Sequence, residues 1–159
     1  MYNILLIEDE ENLGKLLKEE LEEQGYSITW LRNGVDGVLA ALDTGFGVTL
    51  RQAQGDSHGV LRQSQDDDVM VSLSNHVEPS AERFDVLIVD MVMPDMSGIN
   101  TIRIIKKIIP DIGIISCSGK VEKDIMIDSI MKGATACLNK PFTVSQMISQ
   151  IKWVTRKKK

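Results

Sequence analysis

The stretch "DVLIVDMVMPDMSG", Asp85 to Gly98, decides how the rest of the chain is read. Val86, Leu87, Ile88 and Val89 form a short continuous apolar block. Such a block suits a strand covered on both faces, as in a parallel sheet. It ends on a carboxylate, Asp90, and then turns at Pro94. An acid at the C-terminal tip of such a strand stands where open α/β sheets bind their ligands. A solvated Asp that merely begins a loop would give the same local pattern, so the decision rests on what the other strands carry.

Working outward, strand-like and helix-like segments alternate. "NILLI", Asn3 to Ile7, reads as a buried strand with "EDE" at its tip. Leu13, Leu16, Leu17 and Leu21 mark one face of a helix, which Gly25 closes. "SITWL" is a second strand and "GVDGVLAAL" a short second helix. After the strand ending at Asp90, Ile102, Ile105, Ile108 and Ile109 mark a third helix, stopped before Pro110. "IGIISCS" is a fourth strand. Ile125, Met126, Ile130 and Met131 mark a fourth helix, closed by Gly133. "ATACLN" is a fifth strand, ending at Lys140-Pro141. Thr143 and Gln146 form a capping box. They open a last helix carrying Met147, Ile148, Ile151 and Val154. This alternation predicts an α/β fold, a five-stranded parallel sheet wound with helices on both faces.

Composition narrows the function classes. The 159 residues are enough for one domain with a sizeable core. No apolar run approaches the ~20 residues that span a bilayer, and "MYNILLIEDE" lacks the features of a secretory signal. A cytoplasmic protein is expected. The net charge of −5 argues against a nucleic-acid-binding body. Acid is concentrated at the front, in "EDEEN" and "KEELEEQ". The basic tail "RKKK" has two readings, a contact with nucleic acid and, the favoured one, a solvated complement to a helix C-terminus. Cys117 and Cys137 are expected to be reduced rather than part of a disulfide framework.

Parallel strands present all their C-terminal tips along one edge. Glu8 and Asp9 follow strand one, Asp90 ends strand three, Ser118 ends strand four and Lys140 follows strand five. Three carboxylates crowded together repel unless something positive joins them. A hard divalent cation such as Mg²⁺ suits oxygen donors and commonly acts with phosphates. Ser118 and Lys140 are then free to hold phosphoryl oxygens. Asp90 is left as a carboxylate nucleophile that forms an aspartyl phosphate. Phosphoryl transfer asks for little more than positioning and charge neutralisation.

These segments resemble the receiver domain of bacterial two-component response regulators. The resemblance is carried by "NILLIEDEENLGKLLKEELEEQGY", "FDVLIVDMVMPDMSG", "IISCSGK" and "GATACLNKPF". It covers Met1 to about Leu42 and about Glu82 to Lys159. It implies a flavodoxin-like doubly wound sheet of order 2-1-3-4-5, a topology that general accounts illustrate with the chemotaxis receiver itself. It implies Asp90 as phosphoacceptor. Asp9, Asp90 and the Val92 backbone carbonyl would ligate Mg²⁺, with Glu8 acting through water. Lys140 would pair with the phosphoryl group, across a Lys-Pro bond that is usually cis in the family. Ser118 would bind a phosphoryl oxygen and move on activation. Cys137 stands where receivers often carry an aromatic switch residue, so the usual Ser-aromatic coupling is in doubt and plain core filling is the favoured reading. Val92 and Lys120 occupy positions that tend to set phosphoryl lifetime.

The implied function is a phosphorylation-activated signalling switch spanning the chain as a single receiver domain. It takes its phosphoryl group from a histidine kinase or phosphotransfer protein. It signals to an unknown downstream protein through the fourth helix, fifth strand and fifth helix. No membrane or direct nucleic-acid partner is expected. The resemblance implies no enzyme beyond self-phosphorylation and self-dephosphorylation. Two rivals remain: an aspartate-nucleophile phosphatase or phosphotransferase, and a degenerate receiver acting as a pure binding module. The first commonly needs a second acid two residues past the nucleophile, where this chain has Val92. The second conflicts with the complete set Glu8, Asp9, Asp90, Ser118 and Lys140.

The main departure is an insertion at about 44–81, between the second helix and third strand. It is far longer than ordinary connections. "VTLRQ", "VLRQS" and "VMVSLS" are β-prone, so a small β excursion and a disordered loop both stay open. "DVMVSLSNHVEP" mimics the Asp90 strand but has Ser72 and Leu73 where the acid is needed. His58 and His76 lie near Asp66, Asp67 and Asp68 without recognisable ligand spacing, so solvated loop residues are the expectation. A partner-binding or self-associating appendage, hence a homodimer, and a loop without a role are the two readings of the insertion.

Overall fold

The computed structural model describes residues 1–46, 83–119 and 123–156. Its elements run β1 (Asn3–Ile7), α1 (Glu11–Glu23), β2 (Ser27–Leu31), α2 (Gly34–Phe46), β3 (Val86–Asp90), α3 (Gly98–Ile108), β4 (Gly113–Ser118), α4 (Lys123–Met131), β5 (Ala136–Asn139) and α5 (Val144–Arg156). The strands form one sheet of order β2-β1-β3-β4-β5, and every neighbouring pair is parallel. The expected order is therefore the observed one.

Side-chain alternation explains the two layers. Ile4, Leu6, Val86, Ile88, Ile115 and Cys117 point to one face, where Leu17 and Leu21 of α1 and Met147, Ile151 and Val154 of α5 cover them. Leu5, Ile7, Leu87, Val89 and Ile114 point to the other, beneath Ala41 of α2 and Ile102 and Ile105 of α3. The central strands β1 and β3 are thus apolar on both sides, which is why they read as unbroken apolar blocks. Local signals place the ends. Ser97 accepts from the Asn100 N–H at the start of α3. Thr143 and Gln146 exchange two bonds at the start of α5. Gly25 and Gly133, after α1 and α4, hold positive φ angles of 83° and 116°.

Several details differ from the sequence expectation. Helix α2 continues through Phe46, and the Thr44 hydroxyl bonds back to the carbonyls of Ala40 and Ala41. The first residues assigned to the insertion therefore extend a helix. Its remaining candidates, the β-prone runs and both histidines, lie outside the described residues, as does Lys120. In α1, Leu16 faces outward, 48% exposed. In α4, Ile130 and Met131 are exposed, whereas Ser129 turns inward and is fully buried. Its hydroxyl lies 3.0 Å from Ser116 Oγ and donates to the Met126 carbonyl at 2.8 Å. Polar pairing thus offsets the cost of burying it.

All five strands and five helices come from described residues. Loop closure costs only ~0.6 kcal/mol per doubling of length. Replacing residues 47–82 with a short Gly-Ser linker should leave a cooperative thermal transition at or slightly above that of the full chain. Loss of the transition would mean that the segment belongs to the folding unit.

Candidate functional site

The C-terminal edge of the sheet collects side chains from four strand ends. Asp90 ends β3 and is 8% exposed. Its Oδ1 accepts from the Val92 N–H at 3.1 Å, and its Oδ2 accepts from Lys140 Nζ at 2.8 Å. Glu8, just past β1, is 2% exposed, and its Oε2 accepts from the same ammonium at 2.8 Å. Lys140 therefore bridges two buried carboxylates from different strands. It is carried there by the turn after β5, where the Lys140–Pro141 peptide is cis and the Lys140 N–H donates to the Ser118 carbonyl at 2.7 Å. Asp9 is half-buried, and one carboxylate oxygen from each of Glu8, Asp9 and Asp90 falls within 4.8 Å of the others.

The close fit at this edge has a backbone reason. Helix α3 begins against the β3 tip, and a Cβ on Gly98 would collide with the Asp90 carbonyl oxygen and the Met91 Cα. Only a glycine lets the chain turn back this tightly.

Electrostatics follow from burial. Desolvation pushes the Glu8 carboxyl up; the hydrogen bond from Lys140 pulls it partly back, the Asp90 charge opposes that, and the outcome is about 7. For Lys140, burial alone works against the ammonium, but hydrogen bonds and charge from Asp90 and Glu8 outweigh it and raise it to about 12. One cation thus serves two acids, and the pair carries more negative charge than it can neutralise.

Ser118, the last residue of β4, is 1% exposed. Its hydroxyl makes no hydrogen bond among the described residues. A buried hydroxyl without a partner is unfavourable by about 1–3 kcal/mol.

Cys137 stands apart from this cluster. Its thiol lies 2.9 Å from Ser116 Oγ and 3.3 Å from Ser129 Oγ, under α4. Within the core, these contacts make a small hydroxyl-thiol cluster that ties α4 to β4 and β5. Cys117 points to the opposite face of the sheet among apolar neighbours, where burial pushes its thiol well up. Both cysteines are free; register explains it, because Cys117 pairs with Leu138 and Cys137 with Ser116.

Sequence reading brought Glu8, Asp9, Asp90, Ser118 and Lys140 to this edge, and the fold assembles them there. Val92 stands beside Asp90, 55% exposed, and its N–H donates to Asp90 Oδ1. Missed were Trp30 and Arg32, which hold the acidic loop from β2. The Trp30 indole donates to the Glu8 carbonyl at 3.0 Å, and Arg32 Nη2 to the Asp9 carbonyl at 3.3 Å. The available signal was Gly14, a glycine inside a helix, which asks for a packing reason.

Comparison with known proteins agrees with this geometry. The sequence profile of the response regulator receiver domain matches residues 64–152, more than half of the chain. The chain belongs to that family. The chemotaxis protein CheY of Thermotoga maritima is 35% identical over 72 residues, covering 45% of this chain and 60% of that protein. The uncharacterized transcriptional regulatory protein YkoG of Bacillus subtilis is 23% identical over 154 residues, covering 97% of this chain but 51% of its own length. The chain thus spans about half the length of such full-length regulators. Among solved structures, a response regulator receiver domain protein from Clostridium thermocellum superposes with a TM-score of 0.73 at 23% identity, covering 99% of this chain and 97% of that one. A CheY-like receiver from Methanospirillum hungatei gives 0.71 at 19% identity, covering 99% and 96%. These two share the fold. No helix among the described residues is long and apolar enough to cross a membrane.

The raised Glu8 carboxyl has a stability consequence. Between about 4.5 and 7 the folded protein binds more protons at Glu8 than the unfolded chain does. Stability from this group therefore falls as pH rises through that window. In metal-free buffer, Glu8→Gln should melt above wild type at pH of about 8, with the gap closing toward pH of about 5. Parallel melting curves for the two proteins across that range would contradict the assignment.

Proposed function

We propose that this chain is the phosphorylation-operated switch of a two-component system, with Asp90 accepting a phosphoryl group from a histidine kinase or phosphotransfer protein. The observation that carries the reading is the shared ammonium: Lys140 holds Asp90 Oδ2 and Glu8 Oε2 together, and at the same sheet edge the Ser118 hydroxyl has no hydrogen bond among the described residues. A carboxylate oxygen of Asp90 attacks the phosphorus of the donor phosphohistidine. The O–P bond forms, the P–N bond breaks and its electron pair leaves with the imidazole. The Val92 N–H fixes the Asp90 carboxylate for this attack. Lys140 is placed to follow the charge onto the phosphoryl oxygens, and the Ser118 hydroxyl to donate to one of them.

The donor set fits Mg²⁺. Its oxygens lie within 4.8 Å of one another, on acids that burial leaves short of positive charge. Asp9, Asp90 and the Val92 carbonyl would hold the ion, with Glu8 supporting it through water. Its chemistry there is charge neutralisation of the transferring phosphoryl group. Val92 offers no acid to protonate a leaving group, which supports a switch over a turnover phosphatase.

Phosphorylation is read out at the surface of α4, β5 and α5. Ile127, Ile130, Met131 and Trp153 are exposed there, which suits a downstream protein or a second copy. The hydroxyl-thiol cluster of Ser116, Ser129 and Cys137 replaces an aromatic switch as the link between α4 and the sheet.

With acetyl phosphate and Mg²⁺, intact-mass measurement should show one added phosphoryl group, absent in Asp90→Asn. Equal labelling of that variant would remove Asp90 from the role. Lys140→Ala should fold and label at least tenfold more slowly, since a charge-assisted hydrogen bond is lost from the transferring group. Ser118→Ala should label but lose phosphorylation-dependent partner binding; full retention of that binding would place the switch elsewhere.

A further inference from the structure

The three acids at the sheet edge repel one another, and Glu8 and Asp9 sit on a loop between β1 and α1. Something must fix the direction in which both side chains leave the backbone. The side-chain bond within the loop, from the Glu10 N–H to Glu8 Oε1 at 3.3 Å, leaves the peptide between the two acids unheld. The restraint comes from β2 and the residue after it. The Glu8 N–H donates to the Leu31 carbonyl at 3.1 Å. The Glu8 carbonyl accepts from the Trp30 indole at 3.0 Å. The Asp9 carbonyl accepts from Arg32 Nη2 at 3.3 Å, and Arg32 also pairs with Glu11 at 3.4 Å. Three consecutive peptide planes, those before Glu8, between Glu8 and Asp9, and after Asp9, are thus each held from outside the loop.

The middle plane matters most, because it joins the two acids. Its holder, Trp30, is itself locked. The indole fills the space above Gly14 of α1, where an added Cβ would collide with its Cε2, Cζ2 and Nε1 atoms. A glycine within a helix is unfavourable by ~1 kcal/mol relative to alanine. Here it makes room for the ring whose N–H reaches the Glu8 carbonyl.

We infer that Trp30, seated on Gly14, is a positioning residue that sets the Glu8–Asp9 peptide for divalent-cation binding. The inference rests on the metal-dependent switch proposed above. Groups that orient metal ligands through a hydrogen bond tune affinity without touching the ion. Trp30 also serves as an intrinsic reporter, since its N–H is bonded to the peptide that joins two of the three acids.

Calorimetric titration of the whole chain with Mg²⁺, well below its melting temperature, tests this. Trp30→Phe keeps most of the ring volume but deletes the N–H, and should weaken Mg²⁺ binding about threefold to tenfold, the equivalent of one hydrogen bond. Gly14→Ala should weaken it similarly by displacing the ring, whereas Trp153→Phe, on α5, should not. In the Trp153→Phe background, Trp30 emission should change with Mg²⁺ at the calorimetric midpoint. Wild-type affinity in folded Trp30→Phe and Gly14→Ala would reduce Trp30 to core packing and overturn the inference. If Trp30→Phe fails to fold, Gly14→Ala and the Trp30 emission decide, and emission unmoved by saturating Mg²⁺ overturns it as well. Absence of Mg²⁺ binding in wild type would overturn the metal reading itself, and with it this inference.

Discussion

The Lys140 ammonium, 2.8 Å from Glu8 Oε2 and 2.8 Å from Asp90 Oδ2, is the interaction on which the rest depends. It joins the ends of β1, β3 and β5, elements more than a hundred residues apart in the case of Glu8 and Lys140. Removing the ammonium would leave two buried carboxylates uncompensated. The sheet order 2-1-3-4-5 is what makes the arrangement reachable, since it places β1 and β3 side by side and puts β5 one strand beyond β4. A lysine on the turn after β5 reaches past β4 to these acids, while its backbone N–H donates to the Ser118 carbonyl at 2.7 Å.

The site is built at the expense of local stability. Glu8 is buried with its carboxyl pushed up to about 7, and the Ser118 hydroxyl is buried without a partner among the described residues. Both are costs that a folded protein carries only where surrounding structure over-determines them. That structure is apolar here: Ile7, Val89 and Cys117, beside the site in β1, β3 and β4, are all 1% exposed or less. The contrast between a buried apolar sheet and an electrostatically strained edge is the physical content of a switch. Ligands that relieve the strain shift the equilibrium by their differential interaction with it.

Much of this was legible in the sequence because it is local. Unbroken apolar blocks gave β1 and β3, the capping box gave the start of α5, and glycines at helix ends gave the ends of α1 and α4. The five site residues could be gathered because parallel strands share one edge, a rule of topology rather than of contact. What escaped depends on contact. The periodicity of Ile130 and Met131 pointed inward, but in the nine-residue α4 both are exposed and Ser129 turns inward, stabilised by hydroxyls and a thiol that no spacing announces. Trp30 looked like a strand residue, and only Gly14, far away in sequence order but beneath the ring, hinted that the indole had been given a seat.

The central claim is that Asp90 is the phosphoacceptor of a site whose loading is transmitted through Ser118 and Lys140. Amide NMR with and without beryllofluoride and Mg²⁺ tests it most directly. The account predicts Mg²⁺-dependent shifts centred on residues 8–9, 90–92, 118–119 and 137–140, extending into α4, and abolished in Asp90→Ala. Shifts that persist in Asp90→Ala, or that bypass Ser118 and Lys140, would contradict it.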